Sequence, residues 1–236
     1  GQANLLNAKN PSEIGDSSES KAVSEFVDYE YVDDKDILWS KVVYEFIDLN
    51  ERLNFPLLFP VNDTKYDDTR KSLWRVIRES IENGKISEVY DSNNDNFTEA
   101  SRILGKDSTD LEANIYKNYN ITDIYKSKYV PESFVPREVA SSADIFGYVI
   151  KGIWYFDKIH AELRYRLLAI QPYGTDLKTS VDGEETETGY FWIWYPSIRE
   201  ILDDHLVFND KNNNNRVSFD ELLINRRFSS YIYKYD

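Results

Sequence analysis

The stretch from Phe146 to Tyr173, FGYVIKGIWYFDKIHAELRYRLLAIQPY, decides the fold class. Its two runs, 146–156 and 161–173, are dense in aromatic and β-branched residues. Such side chains fit a pleated, half-buried surface, so both runs read as strands. Asp157 and Lys158 fall between them, where a turn would join the two into a hairpin. After the polar loop GTDLKTSVDGEETETG, the run GYFWIWYP supplies a third strand and completes a meander.

Moving outward, the C-terminal side predicts a helix in SIREILDDHL from near Ser197 and another in SFDELLINRRF from Ser218. On the N-terminal side, TRKSLWRVIRESIENGK predicts a helix with Leu73, Ile77 and Ile81 along one face. Asp67, Asp68 or Thr69 would cap it, and Gly84 suits the position just past its end. ISEVY, residues 86–90, alternates as a short strand. The segment DDKDILWSKVVYEFIDLNERL also predicts a helix, because Leu38, Val42, Phe46, Leu49 and Leu53 recur at spacings of three and four. Asp33, Asp34 and Asp36 would favour its N-terminus, and Pro56 would stop it. The polar stretch up to about residue 140 reads as irregular, with one or two short helices. Together these elements give an α+β class: one domain over 31–236, an antiparallel aromatic-rich meander packed by several helices. Residues 1–30 read as a flexible acidic arm, since residues 1–36 hold nine Asp/Glu against three Lys and few large apolar side chains.

Composition narrows the function. A net charge of −14 disfavours nucleic acid or an anionic membrane as the main partner, because both would be repelled. With no Cys there is no disulfide, no thiolate nucleophile and no Cys-ligated metal. No apolar run reaches the length of a membrane-spanning helix. Gln2-Ala3-Asn4 would suit the first residues left by signal-peptide removal.

Catalytic patterns are sparse. There is no G-x-S-x-G, phosphate-cradling glycine pattern or H-E-x-x-H, and the only histidines, His160 and His205, sit in elements where a structural role is favoured. Paired carboxylates, as in glycosidases, carry no specific signal among 42 acids. Trp192 and Trp194 would share one face of a strand, with Ile193 and Tyr195 on the other. Packing beneath the helices is the favoured reading for the Trp pair; an aromatic platform for a protein or sugar is the alternative.

FNDKNNNNRVSFDELL, from Phe208, offers a candidate calcium loop of the EF-hand type. Asp210, Asn212, Asn214, Arg216, Ser218 and Glu221 fall at the ligand positions 1, 3, 5, 7, 9 and 12. Asn215 replaces the usual glycine, and Lys211 and Arg216 add positive charge, so affinity would be weak. YDSNNDNFTEA begins the same way from Asp91 but reaches Arg102 where an acid is needed. An ordinary Asn-rich connection between helices is the competing reading.

Several long blocks carry a family resemblance. DDKDILWSKVVYEFIDLNERLNFPLLFP, KGIWYFDKIHAELRYRLLAIQP, FWIWYPSIREIL and NRRFSSYIYK resemble the GldN/PorN family of the type IX secretion and gliding-motility machinery of Bacteroidetes, over roughly residues 30–236. The resemblance implies a non-catalytic periplasmic protein that forms a ring with a GldK/PorK-like lipoprotein and meets a GldM/PorM-like shaft. It would be peripheral to the outer membrane through that lipoprotein and would require no cofactor. Trp192, Trp194, Arg226, Arg227 and the meander edge are the expected contact residues. The rival functions are a calcium-responsive protein-binding module and a carbohydrate-active enzyme or binder.

Overall fold

In the computed structural model, Ile145–Asp157 and Glu162–Thr175 are strands paired antiparallel along their whole length, from Ile145 opposite Gly174 to Asp157 opposite Glu162. The structure describes residues 2–11, 14, 28–65, 69–103, 140–176, 186–207 and 217–236. In chain order its elements are α1 (Gln2–Asn7), β1 (Ile37–Asp48), α2 (Phe55–Leu58), α3 (Leu73–Glu82), β2 (Val89–Asp91) and β3 (Arg102–Ile103). They continue with β4 (Ile145–Asp157), β5 (Glu162–Thr175), β6 (Glu187–Gly189), β7 (Phe191–Trp194), α4 (Arg199–Asp203), α5 (Phe219–Ile224) and β8 (Tyr231–Tyr235).

The strands form one antiparallel sheet in the order β3-β2-β7-β5-β4-β1-β8, with β6 also paired to β5. The fold is therefore α+β, and the meander lies at its centre. The hairpin turn is tied by Asp157, whose carboxylate accepts from the backbone N–H of Ile159 at 2.8 Å and of His160 at 3.2 Å.

Each face of the sheet has its own core. On one, Ile47, Ile150, Leu167, Phe191 and Ile193 pack against Trp74, Ile77 and Ile81 of α3, Leu202 of α4 and Phe219 and Leu223 of α5. On the other, Tyr44, Ile153, Leu168 and Trp194 pack against Leu6 of α1, Val32 and Phe97. A bulge in β5 places the adjacent residues Leu168 and Ala169 on this second side.

The segment 33–53, expected as a helix, is instead strand β1 over Ile37–Asp48. The helical stripe would bury Leu38 and Leu53, yet these are 66% and 60% exposed. Alternation governs instead: Val43 and Ile47 are buried on the helix side, and Tyr44 on the opposite side. The run satisfied both periods, and pairing with β4 from Asp48 opposite Gly147 to Ile37 opposite Asp157 selected the strand. The aspartates do act as a local cap: Asp33 accepts from Lys35 N–H at the head of a short 3-10 turn.

α3 forms as expected over Leu73–Glu82, with Leu73, Ile77 and Ile81 buried. Its cap is Ser72, whose Oγ accepts from Arg75 N–H; of the expected caps, Asp67 and Asp68 lie outside the described residues. Gly84 follows the helix with a positive φ of 73°, a conformation that side chains strain. The strand expected at 86–90 is shifted to Val89–Asp91. The expected irregular stretch before residue 140 falls largely in 104–139, outside the described residues. The acidic stretch expected as an arm is described at its two ends, and there it is packed. Leu6 and Ala8 are buried, and Ala8 C=O accepts from Trp194 Nε1 at 3.0 Å.

Candidate interaction surface

β8 was not anticipated from the sequence, and it builds the most exposed aromatic surface of the described residues. Among the described residues it pairs with β1 on one side only, from Phe46 opposite Tyr231 to Val43 opposite Tyr235. Tyr231, Ile232, Tyr233 and Tyr235 are all more than half exposed. A one-sided strand of this kind offers main-chain groups and aromatic side chains to a neighbour, which most sheet edges are built to avoid.

Two buried polar contacts hold β8 in place. Arg226, at a positive φ of 52°, makes a two-pronged ion pair with Glu45 at 3.0 and 2.6 Å and lies 4.2 Å from the centre of the Tyr165 ring. Ser230 Oγ donates to the same Glu45 at 3.0 Å. The Asn54 amide donates to Asp48 C=O and Ser229 C=O and accepts from Ser229 N–H. The chain leaving α5 is thus fastened to β1 just before β8 begins. Arg226, expected at a contact surface, is placed in this bracket; Arg227 is about half exposed, 3.6 Å from Glu221.

The other expected contact residues lie inside. Trp192 and Trp194 are 4% and 1% exposed, with Phe97 set edge-on to both rings. They face α1 and Phe97, while Ile193 and Tyr195 face the helices, so the pair is core, though on the side opposite to the one expected. A platform at these two rings has no open face.

Beside β8, an open groove of about 570 Å³ crosses the sheet face opposite α3, α4 and α5. Phe46, Tyr173, Tyr231 and Tyr233 line it, with Asn93, Gln171 and Glu187 at the polar margin. Burial and the neighbouring Glu187 carboxylate push the Tyr173 hydroxyl above its ordinary pKa. A second exposed apolar patch caps the far end of the central hairpin, where Leu38, Trp39, Ile159 and Leu163 are each more than half exposed.

Near that end, Arg166 fastens the N-terminal segments. It is 4% exposed and donates to Leu6 C=O at 2.5 Å and Glu30 C=O at 2.7 Å. The Tyr29 ring lies between the guanidinium groups of Arg166 and Arg199, at 4.7 and 4.1 Å, and its hydroxyl donates to Leu167 C=O. Burial raises the pKa of that hydroxyl and lowers that of Arg166. Arg166→Leu would strand two carbonyl groups, at a cost of about 1–3 kcal/mol. Limited proteolysis of this variant is expected to cleave within residues 2–32 much faster than in the wild type, leaving the remainder intact. Equal cleavage rates would remove Arg166 from this role.

The candidate calcium loop falls mostly at 208–216, outside the described residues. Of its proposed ligands, Ser218 caps α5, accepting from Glu221 N–H at 3.1 Å and donating to Asp203 at 2.8 Å. Glu221 lies in the first turn of that helix. Among the described residues, no group of three or more His, Asp or Glu is placed to hold a metal ion. His160 Nδ1 lies 2.7 Å from Asp157 in the hairpin turn, and His205 Nδ1 lies 2.7 Å from Ile201 C=O. Both support backbone turns.

The chain is thus an α+β domain with an aromatic sheet, an exposed edge strand and a polar bracket that fixes this edge. The family of the gliding motility associated protein GldN matches residues 32–236, and the chain belongs to that family. No curated protein matches the chain. Membership makes it a gliding-motility component. No helix among the described residues is long and apolar enough to cross a membrane.

Proposed function

We propose that this protein is a non-catalytic structural component of the type IX secretion and gliding-motility apparatus. It works in the periplasm, where it joins a GldK/PorK-like lipoprotein in a ring held at the outer membrane and meets a GldM/PorM-like shaft. Membership of the GldN family over residues 32–236 carries this reading. The exposed β8 edge supports it, because an aromatic strand fixed by the Arg226–Glu45 ion pair and the Asn54–Ser229 hydrogen bonds can dock on a neighbour without being reshaped. The test is affinity capture of the tagged protein from gently solubilised envelopes. Recovery of an outer-membrane lipoprotein in stoichiometric amount is expected; its consistent absence under mild conditions sinks the proposal.

A further inference from the structure

We propose that the groove beside β8 binds a proline-rich, basic segment of a partner protein in the extended polyproline conformation. This names the partner chemistry for the assembly role above and rests on that reading. The groove volume of about 570 Å³ suits a short stretch of extended chain.

Its floor is shaped for ring-on-ring contact. Phe46 lies across Gly147, where an added Cβ would fall 2.4 Å from Phe46 Cζ, so any larger residue there would lift the ring. Tyr173 meets Phe46 at 5.5 Å and 89°, and Tyr231 meets it at 5.7 Å and 51°. Rings set at such angles leave notches between them rather than one flat face. Pyrrolidine rings fill notches of this kind, and a polyproline segment arrives already ordered, so little entropy is lost on binding.

The polar margin agrees with this occupant. Polyproline leaves its carbonyls unbonded, and Tyr231, Tyr233 and Asn93, which line the groove, each carry a side-chain donor. Glu187 is the one charged group among the described lining residues, and the whole chain carries −14, so an Arg or Lys in the segment is favoured. The contacts come from side chains on the sheet face, and the β8 wall is fixed by Arg226–Glu45 and Asn54–Ser229. The groove is therefore formed before its ligand arrives.

Calorimetric titration with decaproline, and with the same peptide carrying two arginines, tests the proposal. Both peptides are expected to bind, the arginine peptide more tightly. Tyr231→Ala should weaken both by about tenfold. Glu187→Gln should erase the preference for arginine while sparing decaproline. Ile232→Ser, on the opposite face of β8, should bind as the wild type does. Absence of heat with either peptide, or binding untouched by Tyr231→Ala, overturns the proposal. So does saturation by chitohexaose in place of the peptides, which would make the groove a glycan site. Lipoprotein capture separates the two readings. A Tyr231→Ala chain that loses peptide binding but still captures the lipoprotein overturns the groove as docking site alone. A wild-type chain that binds peptide but captures no lipoprotein supports the groove and overturns the assembly reading.

Discussion

Asp220→Ala will lower the melting temperature by about 10 °C, reflecting a loss of about 3–5 kcal/mol. Asp220 is 2% exposed and accepts three hydrogen bonds: from Arg199 Nε at 3.1 Å, Arg199 Nη2 at 2.9 Å and Tyr195 Oη at 2.8 Å. Burial works against the Arg199 charge, but the hydrogen bonds and charge of Asp220 outweigh it and hold the Arg199 pKa above its usual value. Burial, with the Asp220 charge beside it, pushes the Tyr195 hydroxyl well up. Removing the carboxylate leaves a buried guanidinium without its ion-pair partner and a buried hydroxyl without its acceptor, and the first of these dominates the cost. The pair also joins α4 to α5, so the defect falls where the chain is being directed toward β8. Thermal unfolding followed by circular dichroism measures the shift. The double variant Arg199→Met with Asp220→Leu should recover most of the loss, since it removes both charges together. A single variant within about 2 °C of the wild type would show that water already satisfies this site.

Trp74→Ala should cost about 3–5 kcal/mol, through lost burial and the cavity left behind. Trp74 is 1% exposed on α3, set edge-on to Tyr190 at 5.5 Å and tilted against Phe191 at 6.2 Å. Its Nε1 donates to Ala140 C=O at 2.9 Å, so the side chain also ties the chain entering β4 to the helix layer. Trp74→Phe keeps most of the ring volume and gives up the hydrogen bond, at a cost of about 1–3 kcal/mol. Chemical denaturation should rank wild type above Trp74→Phe above Trp74→Ala. If the two variants are equally destabilised, the indole hydrogen bond rather than packing sets the cost.

The elements legible in the sequence were those in which one local signal had no rival. α3 shows a single apolar face ending at Gly84, and α5 begins at Ser218, whose hydroxyl caps it. β4, β5 and β7 are too rich in β-branched and aromatic residues to read otherwise. β1 failed because its apolar positions fit a helix and a strand alike, and nothing within it announces a buried Glu45 paired with Arg226 from far along the chain. β8 failed for a related reason: YIYKY is short, and only β1 beside it makes it a strand. The candidate contact surface shifted accordingly. The Trp pair, conspicuous as letters, went inside, and tyrosines that stood only within a family block came to the edge.

By itself, then, the sequence determined the class of the fold, the central hairpin and the three helices α3, α4 and α5, because their periods and caps are local. Its long aromatic blocks also carried the family. Tertiary structure alone decided that 37–48 is a strand, which rings are open to a partner, and that Arg226 is a bracket for β8. Those outcomes depend on residues up to about 180 positions apart, such as Glu45 and Arg226, meeting across a sheet. Burial and pairing of that kind have no signature in any single stretch of chain.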